Sequence, residues 1–223
     1  MKQRLDEATI ALRAAKEFED GSVVNLGYGM PGLCALHIPE GRRVIFHTEN
    51  GALGFGRILT EEDRDKWDIN LINASAQFVS WLPGMSLFDH ATSFGMIRGG
   101  HIDITVLGGL QVSEKGDLAN WRAPGRSGGM GGGMDLAVGA KRVIITMTHT
   151  TTDGKPKIVK QCTYPVTAQK CVDLIVTDIA VIEVTEDGLV LKEVAPGWTP
   201  KEVQELAEPK LKMTKDLIKE IQL

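Results

Sequence analysis

Glu49 is the residue around which chemistry can be built. It closes the apolar run "RVIFHT" and is followed at once by "NGALGFG", a stretch of turn chemistry and glycine. A carboxylate at a strand end, backed by a flexible main chain, has two chemical uses. It can read a ribose hydroxyl in a dinucleotide site, or it can be the reactive group itself. The first use has some support. Gly27-Tyr28-Gly29-Met30-Pro31-Gly32 satisfies G-x-G-x-x-G directly after the predicted strand "SVVNLG", and an acid about 20 residues on completes that fingerprint. The connection argues against it: "LCALHIPEGRR" is cut short by Pro39, whereas a parallel crossover needs roughly a dozen residues or more, usually carrying a helix. A ribose-binding acid also has no use for the glycines behind Glu49. The plain alternative is that these glycines only build tight turns.

A second glycine cluster, "SGGMGGGMD" from Ser127 to Asp135, leads into the short helical segment "DLAVGAK". The plain reading is a flexible surface loop. Glycines before a helix start, however, leave backbone N–H groups free to meet an anion or a developing oxyanion. The spacing to Lys141 excludes a Walker A loop, and Asp135 would repel a bound polyphosphate. A pocket of one or two amides fits better. Other reactive types carry less weight. His47 shares a strand face with Glu49, but a carboxylate that attacks needs no base, and His47 reads as structural. His101 and His149 read as strand-end residues with local hydrogen bonds, and Cys34 has no base near it in sequence. Asn120 and Trp121, in "GDLANW", belong to a pocket or to its walls.

The elements that must position Glu49 follow from periodicity. Leu5, Ala8, Leu12, Ala15 and Phe18 recur at helical spacing, with Gly21 as the expected cap. "SVVNLG", "RVIFHT", "DINLINAS", "IDITVLGGLQVS", "RVIITMTH", "CVDLIVTDIAVIEVT" and "GLVLKEV" read as strands, and the last two are joined by a hairpin turn at "EDG". "TPKE", Thr199 to Glu202, is a helix start with a capping box. "LKMTKDLIKEIQL" after Pro209 reads as an amphipathic packing helix, making 198–223 a helical tail. No internal repeat divides the chain. The expected architecture is a single α/β domain over 1–223, with helices interspersed among mostly apolar strands.

The totals set outer bounds. At 223 residues and 43% hydrophobic, the chain can fill one large core. A net charge of −4 without basic clusters points away from nucleic acid and anionic membranes. No window approaches about 18 uninterrupted apolar residues, and the N-terminus lacks a secretory apolar region. Three cysteines without a CxxC pair suit a reducing cytoplasm, with no zinc or disulfide framework.

Taken in order, "VNLGYGMP", "TENGALGFG", "LINA", "FGMIRGGHIDITVLGGLQVSEKGDLANW", "GGMGGGMDL" and "CTYPVTAQKCVDLIVTD" resemble the B (beta) subunit of the family I coenzyme A transferases, the 3-oxoacid type, from about Leu5 to about Ile221. The resemblance implies a mixed, mostly parallel sheet flanked by helices (the CoA-transferase, NagB/RpiA-like fold). It implies transfer of CoA between a short-chain or 3-oxoacyl-CoA and a free carboxylic acid, by double displacement through a glutamyl-CoA thioester on Glu49. It places Gly132 as the oxyanion donor, and Asn25, Gly27, Asn50, Gly51 and Gly131 in substrate or CoA binding. It requires no metal and no cofactor, since coenzyme A is a substrate. It implies a partner, the A (alpha) subunit, in a heterotetramer or hetero-octamer. A hydrolase on the same fold, or a non-catalytic ligand-binding subunit, are the alternatives. Two departures stand out: Thr48 replaces the usual serine before the glutamate, and Ala76 stands where related enzymes carry lysine.

Overall fold

The computed structural model describes residues 2–125, 128–213 and 219–221. In chain order its strands are β1 (Val23–Leu26), β2 (Ile45–Thr48), β3 (Ala52–Phe55), β4 (Ser86–Leu87), β5 (Ile104–Gly108), β6 (Gln111–Ser113) and β7 (Leu118–Ala119). They continue with β8 (Arg142–Met147), β9 (Ile158–Val159), β10 (Leu174–Thr177), β11 (Ala180–Thr185), β12 (Gly188–Val194) and β13 (Lys219–Glu220). The helices are α1 (Glu7–Ala15), α2 (His90–Arg98), α3 (Gly133–Gly139) and α4 (Pro200–Glu205). Ten strands form one sheet in the order β13-β12-β11-β10-β8-β5-β1-β2-β3-β4. Its centre, β10-β8-β5-β1-β2, is wholly parallel, and antiparallel strands extend it on both sides. A small second sheet, β7-β6-β9, sits apart from it.

The central strands are apolar on both faces because both are covered, as parallel sheets require. Along β8, Val143, Ile145 and Met147 enter one core and Ile144 the other; along β10, Ile175 faces the first, Leu174 and Val176 the second. The first core takes Ile97 of α2, Leu136 and Ala137 of α3, Val203 of α4, and Val112, Leu118 and Ile158 of the small sheet. The second takes Ile10, Ala11, Ala14 and Ala15 of α1 together with Phe18, Phe46 and Phe55. From β1 the chain moves outward to β2 and later returns on the opposite side as β5. That reversal opens a crevice beyond the carboxyl ends of β1 and β5, where α/β sheets bind ligands.

Several expectations need correction. β1 and β2 pair in parallel although the connection carries only a 3-10 segment, Met30–Leu36, so a short helix suffices. "DINLINAS" is no strand. Asp68 Oδ1 accepts the Asn70 N–H, and Asn73 Oδ1 accepts those of Ser75 and Gln77, side chains that hold the backbone in turns instead of a ladder. "IDITVLGGLQVS" divides at Gly108-Gly109, sending β5 and β6 into different sheets. The buried stripe of α1 lies on Ile10, Ala11, Ala14 and Ala15, while Ala8 is exposed. Lys16 caps that helix; Gly21, at φ +77°, instead donates its N–H to Arg43 O. The capping box of Thr199 and Glu202 is present, and β11 and β12 meet across the expected hairpin. The tail beyond Pro209 differs from the expected helix. Lys212 bridges to Val190 and Lys219–Glu220 pairs alongside β12, while 214–218, 222 and 223 lie outside the described residues.

Candidate active site

Glu49 leaves the carboxyl end of β2 in the turn that reverses the chain into β3. The residues just before it are held tightly. His47 is buried, with Asn25 Nδ2 donating to its Nδ1 at 2.9 Å and Ser93 Oγ lying 3.1 Å from its Nε2. Because the Asn25 amide donates, the imidazole proton belongs on Nε2, directed at Ser93. Burial holds the His47 pKa down at about 4, so the ring is a neutral hydrogen-bonding spacer. These bonds fit His47 as a structural residue. Thr48 Oγ1 donates to Asn50 Oδ1 at 2.9 Å and accepts the Ala74 N–H at 2.8 Å. This hydroxyl, a group serine would also supply, ties the Glu49 turn to the loop carrying Ala76. Ala76 itself adopts φ +57°, an uncommon conformation for a residue with a Cβ.

A cavity of about 470 Å³ opens in front of Glu49, within the range of small-molecule sites. Its floor is the crevice at the sheet reversal: Gly27 and Tyr28 after β1, and Leu107 to Leu110 at the end of β5. Its roof is the glycine loop over 128–133, with Asn120, Trp121 and Leu136 beside it. Arg126 and Ser127 lie outside the described residues. Among the residues described, Glu49 is the only charged group in the lining.

The glycine loop presses on the carboxylate. A Cβ added to Gly132 would overlap Glu49 Oε2 and lie 2.9 Å from its Cδ and 3.1 Å from Phe94 Cζ. Only glycine lets this backbone reach Glu49. Gly131, at φ +53°, makes the preceding bend. Desolvation dominates the electrostatics of Glu49 and pushes its pKa up; the Gly132 N–H and His90 oppose this, and Asp135 adds to it. The carboxylate is thus more basic, and a better nucleophile, than an exposed glutamate. Asp135 itself is tied to Arg98 at 2.7 Å, an ion pair that joins α3 to α2. Close packing of Gly139 on the Ile97 carbonyl joins them a second time.

The structure divides the expected site residues. Glu49, Gly27, Gly131 and Gly132 share the cavity. Asn25 does not reach it: its amide donates to the ring and, at 3.3 Å, to the carbonyl of His47. Asn50 turns outward, donating to Ile72 O. Gly51, at φ +114°, is filled by the protein itself, because a Cβ there would overlap Phe88 O. Gly54 and Gly56 are absent from the lining too, and Ser80 occupies the space at Gly56. Gly51 and Gly56 thus admit neighbouring chain. Cys34 is buried, its thiol pushed up to about 12, and so is inert. His149 is buried against Thr177, and His101 is an exposed residue after α2. Sequence reasoning missed Phe94 and His90. Nothing in their spacing marks them, because a helix joined about 40 residues downstream of Glu49 brings them there.

Among the described residues, no group of His, Cys, Asp or Glu could hold a metal, and no helix is long and apolar enough to cross a membrane. The family model for coenzyme A transferase matches residues 8–206. The beta subunit of a probable coenzyme A transferase from Bacillus subtilis is 47% identical over 205 residues, covering 92% of this chain and 93% of its own. The B subunit of 3-oxoadipate CoA-transferase from Acinetobacter baylyi is 46% identical, covering 91% and 93%. Among solved structures, an acyl-CoA transferase of Escherichia coli O157:H7 superposes with a TM-score of 0.72 at 22% identity. It covers 97% of this chain, which spans 44% of that longer chain.

Proposed function

This chain belongs to the coenzyme A transferase family, and on that premise we propose that Glu49 is the nucleophile of a double-displacement CoA transfer. The observation that carries the reading is the contact between the Glu49 carboxylate and the Gly132 backbone at the mouth of the cavity. In the first step a carboxylate oxygen attacks the acyl-CoA carbonyl. The C–S bond breaks, giving a mixed anhydride on Glu49 and free CoA thiolate. The thiolate then attacks the glutamyl carbonyl; the first acid departs as a carboxylate, and the enzyme holds CoA as a thioester. The second acid reverses both steps. In this reading the Gly132 N–H, which bonds the Glu49 carboxylate, stabilises the tetrahedral oxygen, a contribution of about 3 kcal/mol for such a donor. Apolar Leu107, Leu110, Met130 and Leu136 in the wall protect the anhydride from water. No metal or redox cofactor enters these steps.

The substrates we assign are short-chain or 3-oxoacyl-CoA donors and small carboxylic acids, in the cytoplasm. The partner is an A (alpha) subunit, in a heterotetramer or hetero-octamer; the support is that relatives are themselves named as the beta or B subunit of a CoA transferase. The test is trapping. Incubated with acyl-CoA and then borohydride or hydroxylamine, the complex should yield a modified peptide containing position 49, absent in Glu49→Gln. Consumption of acyl-CoA to free CoA with no adduct would identify a hydrolase and sink the proposal.

A further inference from the structure

Asn120 leaves β7 and enters the cavity wall. Its orientation is fixed by one buried residue of the "YPVTAQ" segment, Thr167. The Thr167 hydroxyl accepts the Asn120 backbone N–H at 3.2 Å and lies 2.7 Å from Asn120 Oδ1. Having accepted one proton, that hydroxyl gives its own to Oδ1. The carbonyl end of the amide is thereby occupied and the NH2 end is left over. Among the described residues Nδ2 has no protein acceptor, and both Nδ2 and Oδ1 lie 3.9 Å from where a Cβ on Gly133 would be. The small sheet holds this arrangement rigid: Thr167 N–H donates to Leu118 O at 2.7 Å, and Leu118 N–H donates to Ala168 O at 2.9 Å. A preset neutral donor in a cavity whose only described charge is Glu49 suits a neutral oxygen.

Its location says which oxygen. A Cβ on Gly132 would meet Glu49, whereas one on Gly133, a step of about 3.8 Å further along the chain, would have no atom of Glu49 within 4 Å. A carbonyl two carbons beyond the thioester reaches a comparable distance past the reacting carbon. We infer that Asn120 is a specificity-determining residue, its Nδ2 donating to the 3-oxo oxygen of a 3-oxoacyl group whose thioester lies at Glu49. The inference rests on the proposed role of Glu49 for the placement of the thioester. Thr167 is the positioning residue behind it. A site that offers a donor rejects the analogue lacking the acceptor, because the donor is then left unpaired.

Acetoacetyl-CoA and butyryl-CoA have the same chain length and differ at the 3-oxo oxygen. Their Kd values are measured on the full chain with its partner subunit, in a Glu49→Gln background that cannot turn over. Asn120→Asp, similar in shape but without the donor, should weaken acetoacetyl-CoA by about 10-fold and leave butyryl-CoA within about 3-fold. Thr167→Val, which frees the amide to rotate, should give a smaller loss of the same selectivity. Equal weakening of both ligands, or of neither, overturns the inference. Because binding is read without turnover, a failure of CoA transfer in the parent enzyme would be seen separately, in the trapping experiment.

Discussion

Two stretches are rich in glycine, 51–56 and 128–133, and they use it in opposite ways. In the first, the room left by a missing Cβ is taken by the protein: Phe88 O presses on Gly51 and Ser80 on Gly56. In the second, Gly132 lies against the carboxylate of Glu49, and the loop over 128–133 lines open space. Composition alone does not distinguish a glycine that admits its own chain from one that admits a ligand. What occupies the vacated volume decides it, and that occupant comes from elsewhere in the sequence.

Substitution should separate the two uses. The largest effect is expected from Gly132→Ala: its φ of −79° tolerates alanine, but the methyl would displace the carboxylate. kcat should fall about 100- to 1,000-fold while the thermal midpoint stays close to wild type. Gly51→Ala should do the reverse. It combines φ +114° with a backbone clash, so urea denaturation should show a loss of about 2–3 kcal/mol, with activity per folded molecule retained. A third measurement concerns the charge at the site. Attack needs ionised Glu49, whose pKa is raised above 4.5 chiefly by desolvation, so the acid limb of kcat/KM should lie above pH 4.5. Asp135→Asn should move that limb toward acid, since Asp135 raises this pKa.

Stability supplies a fourth test, smaller again. A carboxyl with a raised folded-state pKa binds protons more tightly when folded, so its ionisation costs stability as pH rises beyond the unfolded value. Glu49→Gln should therefore melt above wild type at neutral pH, with the gap closing as pH falls toward the ordinary glutamate range. The smallest effect should come from Gly54→Ala. Gly54 has φ +76°, but its nearest neighbours lie 3.8 Å or more from an added Cβ. Conformation alone is strained there, at about 1 kcal/mol, and equilibrium unfolding should show no more.

The candidates Glu49 and Gly132, which the structure brings together, are legible in the sequence because their signals are local. Glu49 ends an apolar strand, and Gly132 sits in a glycine run before a short helix; both patterns lie within a few residues. The sheet strands are legible for the same reason, through continuous β-branched runs. What escapes depends on distant partners. Asn25 has the look of a ligand-binding residue until β1 and β2 pair and set it against the ring of His47. "DINLINAS" has the composition of a strand, yet its Asp and Asn side chains satisfy its own backbone and leave no ladder to join. Thr167 and Asn120 stand far apart in the chain, and only the small sheet explains why "CTYPVTAQ" accompanies "GDLANW".

The neutral His47 tie has a consequence for the time scale on which the site moves. Three elements, β1, β2 and α2, meet on one imidazole behind Glu49, so freeing that strand end means dismantling core. Among the described residues, the facing glycine loop has few such anchors. Amide protons at 46–48 should therefore exchange with solvent only when the whole molecule opens, whereas those at 128–131 should exchange early. On the proposed mechanism Glu49 is the anvil of the site, and adaptation to successive acyl partners falls to the wall opposite.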